Sequence, residues 1–200
     1  MFAVKQYYAR LYMNTKLNKI ITSIKYGPHT STLYDGEVKY LKGNHFDEDA
    51  QFTLFADSYV DKDRLSTKHL LQEGDVIIAS KGYRNFAWRY TKDHGPCVAS
   101  SLFYVVKVNE QMISSPYFAL MMNSTRVLDQ LKATARGANM PTIPKGELLG
   151  MKLYVPPLAH QKEIVEISNT INKKITLERR LLNESIKLRK GLINKLISNR

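Results

Sequence analysis

The segment from His160 to Arg200 constrains this chain more than any other part of it. It holds no proline and only Gly191 among glycines, and its apolar residues recur at spacings of three, four and seven. Ile164, Ile167, Ile171, Ile175, Leu182, Ile186, Ile193 and Ile197 fall in one row; Leu177, Leu181, Leu188, Leu192 and Leu196 fall in a neighbouring one. That period places them on one face of an α-helix. At 1.5 Å per residue, about forty residues make a rod of roughly 60 Å. A small domain does not need such a length for its own core, and the other face is dense with Lys and Arg. The stripe is therefore expected to meet another helix rather than fold back on its own domain.

Ahead of this segment the pattern changes. From Leu17 to about Pro157 short apolar runs alternate with turns, which reads as a mixed, strand-rich domain. Val38–Leu41, Asp75–Ala79, Phe86–Tyr90 and Ala99–Val108 are the expected strands, the last rich in β-branched and aromatic residues. Gly27-Pro28, Asp35-Gly36, Lys42-Gly43 and Gly95-Pro96 mark turns. The spacing of Tyr117, Leu120, Met121, Val127, Leu128 and Leu131 predicts one helix over Ser115–Ala133, capped by Ser114 or Ser115 and opened by Pro116. The fold class is accordingly α+β: a globular strand-rich domain followed by a long C-terminal helix that pairs as a coiled coil.

With 200 residues and 44% hydrophobic content the chain can bury a core, and no run approaches the roughly 20 apolar residues that span a bilayer. The basic N-terminus carries Phe2, Tyr7, Tyr8 and Tyr12 but no apolar run of the secretory kind. A single cysteine, Cys97, excludes an internal disulfide; it is expected to be buried and inert and suits a cytoplasmic location. Thirty Lys and Arg against 18 Asp and Glu leave a net charge of +12, a field that attracts polyanions. The charge is uneven: +5 over 1–34, −5 over 35–75, +6 over 76–159 and +6 over 160–200. An acidic stretch between basic ones suits a protein with one surface toward phosphate and another toward solvent.

Catalytic motifs are missing from the sequence. There is no glycine-rich phosphate loop, no His-Glu-x-x-His and no Gly-x-Ser-x-Gly. His29, His45, His69, His94 and His160 lack metal-ligand spacing, so no metal or cofactor is expected. Asp35-Gly-Glu37-Val-Lys39 imitates half of a metal-dependent nuclease, but no acid precedes Asp35 to share a metal. Three segments instead suit contact with nucleic acid. The first is Ser80–Asn85, with Lys81, Tyr83, Arg84 and Asn85 around Gly82, followed by Arg89. The second is Thr134–Asn139, with Arg136 and Asn139 around Gly137; the third, weaker, is Lys39–His45, with Lys42 and Asn44 around Gly43. Arg matches guanine edges and Asn adenine edges in the major groove, and glycine permits close backbone approach. Arg84 and Arg136 are expected on one basic face.

The order of these motifs resembles the DNA-specificity subunit of type I restriction–modification systems. Leu71-Gln-Glu-Gly74-Asp75-Val-Ile-Ile-Ala-Ser-Lys81-Gly82 is similar to that family's Gly-Asp-hydrophobic strand and glycine turn. Ala135-Arg-Gly137-Ala-Asn-Met-Pro-Thr-Ile143-Pro resembles its small-residue stretch after a helix. The most specific run is Leu148-Leu-Gly-Met-Lys-Leu-Tyr-Val-Pro156-Pro157-Leu158-Ala-His-Gln161-Lys-Glu-Ile164-Val165, which looks like the family's strand, Pro-Pro-Leu, Gln and Ile-Val approach to a long spacer helix.

The resemblance covers Leu17 to the end and implies a non-catalytic subunit. Residues 1–157 would form a target-recognition domain for double-stranded DNA, and 158–200 a spacer and dimerisation helix. Methyltransferase and restriction subunits would be its partners and supply the catalysis. The family's usual subunit has two recognition domains and two antiparallel spacer helices, whereas this chain has one of each. Both a half-subunit that homodimerises through Ile164, Ile167, Ile171, Ile175, Leu182, Ile186 and Ile193, and one half of a longer subunit, remain open. Outside the family, a basic nucleic-acid-binding module without sequence specificity uses the same surface, and an enzyme would need a site assembled from residues distant in sequence.

Overall fold

The computed structural model describes residues 13–53, 57–61 and 67–198; Phe2, Tyr7, Tyr8 and Tyr12 lie outside the described residues. The elements in chain order are β1 (Met13–Lys16), α1 (Leu17–Ile20), β2 (Ile21–Tyr26), β3 (Val38–Leu41), β4 (Tyr59–Val60), β5 (Val76–Ala79), β6 (Ala87–Arg89), β7 (Cys97–Ala99), β8 (Phe103–Val108), α2 (Ser115–Met122), α3 (Thr125–Thr134), α4 (Lys145–Gly150), β9 (Lys152–Val155) and α5 (Leu158–Ser198). Short 3-10 turns occupy Gly43–His45, Thr67–His69 and Lys92–His94.

An antiparallel sheet of order β2-β8-β5-β6 forms the centre. Its two inner strands explain why their sequences lack the polar alternation of a one-sided sheet: both faces are covered. Val76 and Ile78 of β5, with Tyr104, Val106 and Val108 of β8, face a cluster completed by Leu17, Ile20, Phe118, Met122, Val127, Leu131 and Leu148 from α1 to α4. Ile77, Ala79, Phe103 and Val105 face the opposite way, onto Leu41, Phe46, Trp88, Cys97 and Ala99. On that side the rings of Phe46 and Phe86 lie 5.0 Å apart, and those of Phe46 and Trp88 5.4 Å. A smaller sheet, β4-β3-β7, packs here, with β3 antiparallel to β4 and parallel to β7. Strands β1 and β9 form a separate antiparallel pair, Met13 opposite Val155 through Lys16 opposite Lys152.

Two expected elements are each divided. The strand expected over Ala99–Val108 is β7 and β8 with a turn between them, because β7 pairs with β3 and β8 pairs with β2 and β5. Ser100 N–H donates to the Leu41 carbonyl at 3.0 Å and Ser80 N–H to that of Leu102 at 2.9 Å, so the corner is itself hydrogen-bonded. The helix expected over Ser115–Ala133 is α2 and α3, broken at Asn123-Ser124. There the Ala87 N–H donates to Asn123 Oδ1 at 2.8 Å, and Asn123 Nδ2 donates to the Ala87 carbonyl at 2.7 Å. Each such bond contributes about 1 kcal/mol net. Asn and Ser are poor helix formers by only some tenths of a kcal/mol, so the tertiary bonds decide the break.

The described residues fall into two compact units, the first ending at Gln161 and the second beginning at Lys162. Helix α5 starts at Leu158 and runs unbroken to Ser198; Asn199 and Arg200 lie outside the described residues. Gln161, in its first turn, is fully buried. Its Oε1 accepts from Ser114 N–H at 2.8 Å, and its Nε2 donates to the carbonyls of Met112 and Pro156 at 3.0 and 2.8 Å. In the second unit, Ile167, Ile171, Ile175, Leu177, Leu181, Leu182, Leu188, Leu192 and Ile193 are exposed, while Ile164 and Ile186 are half-buried. Among the described residues no helix is long and apolar enough to cross a membrane.

Candidate nucleic-acid interface

The backbone of the Ser80–Asn85 loop is built against the 136–143 loop. Ile143 N–H donates to the Ser80 carbonyl and Gly82 N–H to that of Pro141, each at 2.8 Å. Arg136 and Thr142 exchange both backbone hydrogen bonds, at 2.9 and 2.8 Å, which closes a tight loop over 137–141. Gly82 and Gly137 take φ of +100° and +103°, values an L side chain rarely adopts, so each loop turns where its glycine stands. Across the seam the Tyr83 hydroxyl reaches the carbonyls of Ala138 and Asn139, both at 3.3 Å.

The third segment joins the same group through Arg84. Its Nη2 donates to the carbonyls of Gly43 at 2.9 Å and Phe46 at 2.8 Å, and its guanidinium stands 4.8 Å from the centre of the Phe86 ring. The turn it grips has a buried stem. His45 is fully buried, its Nδ1 accepts the Lys42 amide at 3.2 Å, and its Nε2 therefore carries the proton it donates to Asp57 Oδ1 at 2.9 Å. Hydrogen bonds from His45 and then Ser58 hold the Asp57 carboxyl below the ordinary range. Lys42 Nζ donates to Ser58 Oγ at 2.7 Å.

The structure thus brings all three segments together, but their side chains differ in role. Tyr83, Asn44, Asn139 and Arg136 are exposed, Arg136 beside Glu147 at 2.8 Å; Lys42 and Lys81 are half-buried, with Lys81 Nζ 5.2 Å from the Tyr26 ring centre. Asn85 is buried and its Nδ2 donates to the Ala79 carbonyl at 3.0 Å. Arg89 is half-buried, with Nε donating to Ser115 Oγ at 3.0 Å and Nη2 to Glu73 Oε1 at 2.7 Å. These last two hold the scaffold in the free chain. Sequence reading did not single out Glu73 as the partner of Arg89 or Glu147 as that of Arg136, since 16 and 11 residues separate the members of the two pairs and no local spacing announces them. Among the described residues no group of three or more His, Cys, Asp or Glu could hold a metal ion.

A family model for the type I restriction modification DNA specificity domain matches residues 24–187, which include all three loops and most of α5. The chain belongs to that family. The family is defined by DNA specificity rather than by catalysis, as the run around Pro156-Pro157-Leu158 implied. No curated protein matches the chain in sequence. Among solved structures, the type I restriction–modification S subunit from M. genitalium is similar over 82% of this chain and 40% of its own, at 9% identity and a TM-score of 0.62. The HsdS subunit from Thermoanaerobacter tengcongensis is similar over 88% of this chain and 45% of its own, at 16% identity and a TM-score of 0.63. A chain from a structure of type I restriction–modification complex assembly is similar over 88% and 42%, at 14% identity and a TM-score of 0.57. These likenesses are of fold: a strand-rich specificity domain followed by a long helix. The chain spans less than half the length of each of these relatives.

Proposed function

We propose that this specificity-family chain is a sequence-specific double-stranded DNA recognition subunit of a cytoplasmic type I restriction–modification enzyme. Residues 1–157 would read one half of a bipartite target, and 158–200 would act as spacer and dimerisation helix. The observation that carries the reading is the convergence of three polar, glycine-bearing loops into one hydrogen-bonded surface on a chain of net charge +12. Lys42, Asn44, Lys81, Tyr83, Arg136 and Asn139 are the side chains this surface offers to DNA. Lysines would hold phosphate and set register, while Asn and Arg reach base edges. Methyltransferase and restriction subunits would bring the chemistry. The exposed Ile and Leu of α5 favour a homodimer through that helix, since a bare apolar stripe invites association; a two-fold pairing is the commonest for identical chains, and its antiparallel form would set the two recognition domains at opposite ends, each toward its own half-site.

Selection from a pool of duplexes with a randomised segment tests the central claim. A recovered consensus, bound at least tenfold more tightly than scrambled DNA at the same salt, is the expected result, within the 1–3 kcal/mol that each base contact supplies. Equal affinity for all duplexes would make the chain a basic nucleic-acid-binding module without sequence specificity.

A further inference from the structure

We propose that Arg84 is a positioning residue, which clamps the Gly43–His45 turn to the Tyr83 loop and so fixes where Asn44 is presented, rather than a side chain that reads a base. The inference rests on the DNA reading above for its consequence, though not for its geometry. The stem of the turn is secured in three ways that do not involve Arg84: Phe46 packs its ring against Phe86, Trp88 and Phe103; buried His45 takes the Lys42 amide; and Thr53 N–H donates to the His45 carbonyl at 2.8 Å. The Gly43 end has no such packing, for a Cβ placed on Gly43 would meet nothing within 4 Å. Arg84 closes that end. A single nitrogen, Nη2, reaches the carbonyls of Gly43 and Phe46, which bracket Asn44 and His45, while the guanidinium lies near the Phe86 ring. Both carbonyls belong to one turn, so the bond pair fixes its orientation as one bond could not. Lysine keeps the charge but is shorter and lacks the flat guanidinium that lies beside the Phe86 ring, so the exchange of Arg for Lys is not conservative here.

The test uses the full chain with Arg84→Lys, Asn44→Ala and the double variant. Amide hydrogen exchange without DNA comes first. The His45 and Phe46 amides, which close the turn onto Lys42 and Gly43, are expected to exchange roughly tenfold faster in Arg84→Lys. Exchange at Ile77 and Val105 in the central sheet is expected to stay as it was, which shows the variant folded. Unchanged exchange at His45 and Phe46 overturns the clamp. The second arm measures affinity for a selected duplex and a scrambled one. Arg84→Lys is expected to lose discrimination about as far as Asn44→Ala does, and the double variant is expected to lose no more. Losses that add in the double variant would mean that Arg84 reads a base on its own, and would overturn the proposal. An unmodified chain that does not discriminate between duplexes would sink the DNA reading instead, leaving the exchange result to decide the clamp.

Discussion

Gly27 tolerates no side chain, because a Cβ there would lie 2.0 Å from the Ala99 carbonyl oxygen and 2.3 Å from that of Ser100. Both obstacles are backbone at the corner between β7 and β8, so relief requires moving a strand end rather than a rotamer. Gly27→Ala is expected to lower stability by roughly 3 kcal/mol, seen as a fall in the denaturant midpoint with little change in slope. Cys97 offers a second single-residue test. It is 1% exposed, and burial pushes its thiol up to about 11, with nearby Lys39 acting weakly the other way. Near pH 8 the thiolate that reacts is therefore scarce, and the sulfur is out of reach besides. A thiol reagent is expected to label Cys97 only at the rate at which the fold opens; rapid labelling of the native protein would contradict the packing of β7 against the central sheet.

At the scale of elements, tertiary hydrogen bonds outweigh local propensity between α2 and α3. Asn123→Ala would strand both backbone groups of Ala87, which is 2% exposed. The expected cost is about 2 kcal/mol, measured by equilibrium unfolding, although alanine is the better helix former. A gain in stability would show that the break belongs to the Ser124 turn itself. Helix α5 presents the opposite case, an element whose pattern is local and whose partner, on the reading proposed above, is a second copy of the chain. Polar substitutions at Ile175, Leu182 and Ile186 together are expected to turn a dimer into a monomer in light scattering. The circular dichroism of the strand-rich unit should persist, since its core residues precede Gln161. A monomer for the unmodified chain at micromolar concentration would remove the homodimer from the proposal.

For the whole molecule the governing quantity is charge. A chain of net +12 that meets phosphate releases counterions, so the logarithm of its DNA affinity is expected to fall linearly with the logarithm of salt concentration. Arg136→Ala, at an exposed position of the 136–143 loop, should reduce that slope by about one if the residue meets a phosphate. The same substitution should leave the slope nearly unchanged but narrow the gap between selected and scrambled duplexes if it meets a base. Titration at several salt concentrations separates the two, and identical behaviour to the unmodified chain would place Arg136 outside the interface.

Periodicity and composition by themselves determined the long helix, the turn glycines, a strand within Asp75–Ala79 and the basic field, because each follows from residues near one another in sequence. The family was legible for the same reason, in the continuous run from Leu148 to Val165. The two breaks were not legible: one follows from the pairing of strands 58 residues apart, the other from Asn123 meeting Ala87, and neither partner is marked by spacing. The candidate surface divides in the same way. Its three loops were visible as glycine-bearing polar segments, but only the folded chain brought Gly82 to Pro141 and Arg84 to Gly43. Side-chain identity says what a residue can donate; burial and the nearest acceptor decide where the donation goes, which is why Asn85 and Arg89 hold the scaffold while Asn44 and Asn139 stand in solvent.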